Sequence, residues 1–131
     1  MRFMYIVTSE RPTPPTPELM QAMGKLADRE IKAGRMIDCG GLMPVAIGGA
    51  QVRIRDGELS VVDGPFVEAK EVIGGYAIFE LRDKEEALAS AVEFMQVHRQ
   101  HMPGWDGTCE LRAFAAPEHE MGCQVDAVAH A

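Results

Sequence analysis

Apolar side chains occupy both alternating faces of residues 2 to 7. Phe3, Tyr5 and Val7 lie on one face, Met4 and Ile6 on the other. A strand with both faces apolar is a buried strand. The longest strand candidate, Val72 to Leu81, has the same character. Tyr76 and Ile78 face one way, and Ile73, Ala77, Phe79 and Leu81 the other. Gly74-Gly75 inside it marks a bulge or a close approach to the backbone. Met36 to Leu42 is a shorter strand ending at Gly40-Gly41, and Thr108 to Ala115 is the last.

Two stretches change to helical spacing. Between Arg11 and Pro17 a proline-rich loop excludes helix interior and central strand. Thr16 then serves as N-cap, Pro17 as the first helical residue and Glu18 as an acid at the positive end of the dipole. Leu19, Met23, Leu26 and Ile31 form the apolar stripe, and Gly34 is the C′ glycine. The first helix is expected from Pro17 to Ala33. The second opens with Asp83-Lys84-Glu85-Glu86, carries a stripe of Leu88, Ala91, Val92 and Met95, and ends near His98 to Gln100. Met102 to Trp105 is a turn. Trp105 is expected to anchor the second helix to the last strand.

Gln51–Arg55 and Glu58–Val62 alternate apolar with polar residues around Asp56-Gly57, a strong hairpin signal because both turn positions must accept positive φ. With this hairpin set aside, the order is βαββαβ. The expected class is α+β, ferredoxin-like with an inserted β-hairpin. Right-handed crossovers put both helices on one face of such a sheet. Two strands apolar on both faces then leave a second face to cover. A homodimer packed sheet against sheet does this; so would the hairpin or the tail folded over it. Residues 1–116 are expected to form the domain and residues 117–131 a loose tail.

Charge and cysteines narrow the function classes. Twenty acidic residues against 13 basic ones give a net charge of −7, with the basic residues scattered. That field disfavours nucleic-acid binding. No apolar run approaches the roughly 20 residues that span a bilayer, so no membrane role is expected. Cys39, Cys109 and Cys123 are odd in number and lack metal or redox spacing. They read as free thiols of a cytoplasmic protein.

The stretch Val61-Val62-Asp63-Gly64-Pro65-Phe66-Val67-Glu68-Ala69-Lys70-Glu71 resembles the DGPF-motif branch of the YCII-related family. Arg2-Phe3-Met4, Gly34, Gly40-Gly41-Leu42, Arg53 to Gly57, Gly74-Gly75-Tyr76, Glu85-Glu86-Ala87, and Gly104-Trp105 through Arg112 match in order over residues 2 to 115. The resemblance implies a ferredoxin-like, dimeric α/β-barrel fold. It places the chain beside a wider group of monooxygenases, dehalogenating enzymes and muconolactone isomerases. Some relatives carry a His–Asp pair near the first helix; here Met23 and Lys32 stand near those positions. The resemblance also suggests a regulatory setting, since such proteins often accompany extracytoplasmic-function sigma factors.

Several polar residues interrupt the apolar strands. Asp63 in the DGPF turn can hydrogen-bond backbone or act as a general base, which requires partial burial. Gly64 and Pro65 read as turn geometry, and Phe66 as packing or a ligand platform. Glu68, Lys70 and Glu71 are either solvated surface or the wall of a site, with Lys70 its cation. Asp38 stands at a wet strand end or lines a cleft, because a buried unpaired carboxylate is costly. His98 and His101 share a helix face, but a metal site needs at least a third ligand. Asp106 and Glu110 are the nearest candidates, and no metal is expected. No nucleophile motif or cofactor fingerprint is present, so no cofactor is expected.

Two functions remain open. One is a small-molecule-binding protein with a cleft beside the DGPF turn. Asp38, Asp63, Phe66, Tyr76 and His98 would line it, and Asp38, Asp63 and His98 are its catalytic candidates. The other is a non-catalytic protein that binds a regulatory protein partner. A cofactor-independent oxygenase or dehalogenase-like enzyme is a third reading by fold analogy alone.

Overall fold

The computed structural model describes residues 1–11, 13–63 and 72–115. Among these the elements run β1 (Arg2–Ser9), α1 (Pro17–Lys32), β2 (Met36–Gly41), β3 (Ala50–Arg55), β4 (Glu58–Asp63), β5 (Val72–Glu80), α2 (Lys84–His101) and β6 (Thr108–Ala113). The central sheet has the order β2-β5-β1-β6 and is antiparallel throughout. The hairpin β3–β4 is a separate two-stranded ribbon. Without it, the order of the four remaining strands is that of the ferredoxin-like fold. No described helix is long and apolar enough to cross a membrane.

Register sorts the sheet into two faces. Phe3 pairs with Phe79, and Tyr5 with Ala77 and Leu111, on the face that packs under the helices. With Met36, Leu81, Ala87 and Ala91 these strand residues make the core. Tyr5 is fully buried, stacks on Phe79 with ring centroids 4.6 Å apart, and donates its hydroxyl to the Ala87 carbonyl at 3.0 Å. Burial pushes its phenol up to about 12. The opposite, open face carries Met4, Ile6, Tyr76 and Ile78, all half-buried.

The caps follow the sequence. The Thr16 side chain accepts from the Leu19 amide, and Asp83 does the same for Glu86 at the start of α2. Gly34 adopts φ +76°. Its amide donates to the Ile31 carbonyl and that of Arg35 to the Glu30 carbonyl, closing α1 in a Schellman motif. Asp56 and Gly57 both take positive φ in the hairpin turn, as the dipeptide predicts.

Three side-chain placements differ from the pattern reading. On α2 the buried residues are Ala87, Ala91, Phe94 and His98, whereas Leu88 and Val92 are 47% and 55% exposed. The helix is rotated so that two alanines meet the sheet, and this lets Tyr5 reach the Ala87 carbonyl. On α1, Ile31 is exposed and Glu30 is buried instead, because Arg29 and Arg35 both bond its carboxylate. In β5, Ile73 is exposed rather than facing inward with Ala77. Val7 pairs with Gly75 and Thr8 with Ile73, so Gly74 is the extra residue of a β-bulge that breaks the alternation.

Trp105 meets α2 as expected, its ring 5.1 Å from that of His98. Cys39 and Cys109 are free thiols, and burial pushes Cys109 up to about 11. Phe66, Glu68, Lys70, Glu71, Cys123 and the expected tail lie outside the described residues.

Candidate functional site

β2 is an edge strand, and its end lies against the start of β5. Gly40 pairs with Tyr76 and Gly41 with Gly75. The glycines are there because the backbones and one ring come close. A Cβ on Gly75 would sit 2.9 Å from the Gly40 carbonyl oxygen, and one on Gly40 would sit 3.0 Å from the Tyr76 ring. The Tyr76 ring therefore lies over Gly40, and its hydroxyl donates to Asp38 Oδ2 at 3.1 Å. The Cys39 amide donates to Asp38 Oδ1 at 2.8 Å. Each carboxylate oxygen thus holds one donor.

The adjacent carboxylate raises the Tyr76 phenol above its ordinary range. Tyr76 stays protonated at neutral pH and is a poor base. Its proton is committed to Asp38, so its oxygen offers lone pairs only. Asp38 likewise has acceptor capacity left. The pair, with Asp38 exposed and Tyr76 half-buried, is a group of acceptors able to take hydrogen bonds from a ligand.

His98 is not part of this arrangement. It is buried on α2, where Nδ1 lies 2.9 Å from the Phe94 carbonyl oxygen. A carbonyl only accepts, so Nδ1 carries the proton of that bond. The ring lies 4.9 Å from Phe94, which in turn meets Tyr5 edge-on. His98 therefore belongs to the helix-covered face, and Asp38 and Tyr76 to the open one. The sequence brought them together only because all three are polar interruptions of apolar patterns. Asp63 closes β4 opposite Ala50. Among the described residues no group of three or more His, Cys, Asp or Glu side chains is placed to hold a metal ion, His101, Asp106 and Glu110 included.

A second feature was not anticipated. At the same end of the sheet, on the β1–β6 side, a groove of about 640 Å³ is lined by Thr8, Glu10, Arg11, Trp105, Asp106 and Thr108 among others. Trp105 folds over Gly107, where a Cβ would lie 2.2 Å from the indole. His98 backs this groove through its contact with Trp105. The signal was present in the sequence as the polar run Thr8-Ser9-Glu10 closing an apolar strand. Ser9 of this groove pairs with Val72, the first residue of β5.

Comparison with known proteins agrees with this architecture. No curated protein is significantly similar to the chain. A model of the YCII-related domain matches residues 1–96, from β1 into α2. The match covers well over half of the sequence and takes in Asp38, Tyr76 and both glycine pairs, so the chain belongs to the YCII-related domain family.

Proposed function

We propose that this protein binds a small polar molecule on the open sheet face where β2 pairs with β5, with Asp38 and Tyr76 as the recognition pair. The observation that carries this reading is the 3.1 Å bond from Tyr76 to Asp38 on an exposed sheet face. It leaves acceptors pointing outward and spends the local donors. The ligand is accordingly a hydrogen-bond donor, an amine, guanidine or primary amide. A carboxylate or phosphate would meet the Asp38 charge and an overall charge of −7. The chain belongs, in this reading, to the DGPF branch of the family. Its working unit is a homodimer that covers Met4, Ile6 and Ile78 on the open face.

The test is thermal stabilisation by a panel of alkylamines, guanidines and amides against the matching carboxylates. A native-state ligand raises the unfolding temperature in proportion to its occupancy. Donor-bearing compounds are expected to stabilise the wild type, and Asp38→Asn and Tyr76→Phe are expected to abolish the response. Equal stabilisation of these variants would sink the assignment. Recovery of a basic protein partner, with no response to any compound, would favour the regulatory reading.

A further inference from the structure

The β3–β4 hairpin carries its apolar residues outward. Val52 pairs with Val61 and Ile54 with Leu59, so the four side chains share one face. They are between 66% and 73% exposed. The ribbon forms ladder bonds only within itself among the described residues. A two-stranded hairpin alone in water is at best marginally stable. A flat apolar ribbon left bare is also a hazard that proteins ordinarily blunt or cover.

We infer that this face docks on a second copy of the chain. Two copies exchange hairpins, and each ribbon packs Val52, Ile54, Leu59 and Val61 against the partner's open sheet face around Met4, Ile6 and Ile78. The inference rests on the homodimer reading above and names the element that builds it.

Area supports this occupant. Four such side chains at this exposure present roughly 400 Å² of apolar surface, the size of the largest patch on an ordinary monomer, which is often functional. If each ribbon buries that much of itself and a similar area of its partner, the two-fold pair reaches about 1,600 Å², the ordinary size of a specific interface. The sheet face is also of the right kind. Met4 pairs with Ile78 across β1 and β5, and Ile6 is next in that row of strand positions. Asp38 lies opposite Ile78 on β2, so the exchanged ribbon would stand beside the Asp38–Tyr76 pair and form one wall of the ligand site.

The experiment measures the mass of the wild type and of Ile54→Asp/Leu59→Asp in solution by light scattering. Circular dichroism checks that each is folded. A dimeric wild type and a folded, monomeric variant are expected. A monomeric wild type overturns both the dimer reading and the hairpin exchange. A folded variant that stays dimeric overturns the exchange alone. Hydrogen exchange on the wild type decides the matter if the variant does not fold. The amides of β3 and β4 are expected to be protected at high concentration and to lose protection on dilution. Protection equal at both concentrations means the chain covers its own hairpin, and overturns the inference.

Discussion

Thr16 joins the two helices through one hydroxyl. Its Oγ1 accepts from the Leu19 amide at 3.0 Å and donates to the His101 carbonyl at 2.7 Å. The start of α1 and the last turn of α2 are thereby fixed to each other.

Removing that hydroxyl strips a cap and leaves a helix-terminal carbonyl without its partner. Thr16→Ala is expected to lower stability by about 1–2 kcal/mol, and Thr16→Ser to retain most of it. Equilibrium urea unfolding measures both. An alanine variant as stable as wild type would mean that water replaces the bond at no cost.

Glu30 is 4% exposed, and its carboxylate takes Arg35 at 2.9 Å and Arg29 at 3.1 Å. The hydrogen bonds from Arg35 hold its pKa below the ordinary 4.5, against the opposing effect of burial. A depressed carboxylate stabilises the fold above the unfolded-state value, and that contribution is lost as pH falls through the folded-state value. Glu30→Gln is expected to cost about 2 kcal/mol at neutral pH, since both arginines are half exposed and can return to water. The gap between variant and wild type should shrink as the pH drops below the ordinary carboxylate range. Urea midpoints across that range provide the check.

Which features the sequence made legible follows from how local their causes are. The Thr16 cap, the Gly34 stop and the Asp56-Gly57 turn each depend on neighbours within a few residues, so the local sequence alone reveals them. The sheet faces were readable because alternation has a short period, except where the Gly74 bulge leaves Ile73 exposed. The rotation of α2 was not, since it depends on how the helix packs on the sheet, a contact that joins residues as far apart as Tyr5 and Ala87. Burial of Glu30 was missed for the same kind of reason, because Arg29 and Arg35 had to be seen converging. Among the site residues, the Asp38–Tyr76 contact requires a register that no single strand contains. His98 looked equivalent to them because a sequence does not record which side of a sheet a helix covers.

The chain has two tyrosines, and they should titrate differently. Tyr5 is held near 12 by burial, and Tyr76 is raised by the Asp38 carboxylate. Asp38→Asn removes that charge, so the Tyr76 transition is expected to move down toward 10.0 while the Tyr5 step stays in place. Tyr76→Phe should leave the Tyr5 step alone. Ultraviolet tyrosinate absorbance follows each group. An unchanged Tyr76 transition in Asp38→Asn would show that the two side chains do not interact in solution.

Gly75→Ala places a methyl group 2.9 Å from the Gly40 carbonyl oxygen, against backbone that has nowhere to go. The expected cost is about 1–3 kcal/mol, as for other overpacked sites. Gly40→Ala meets only the Tyr76 ring, which can swing away. That variant should stay folded and return the Tyr76 titration toward its ordinary value. A Gly75→Ala variant of wild-type stability would mean that β2 peels from β5 without penalty.

The phenol of Tyr5 also restricts how the protein can move. Its hydroxyl enters the dry interior and donates to the carbonyl of Ala87, with the Ser90 side chain as a second hydrogen-bonding neighbour on the same helix. It acts as a locating pin between sheet and helix. Sliding α2 by a turn would break both contacts, and a buried hydroxyl without a partner costs on the order of 1–3 kcal/mol. A piston-like shift of this helix therefore carries a penalty of that order.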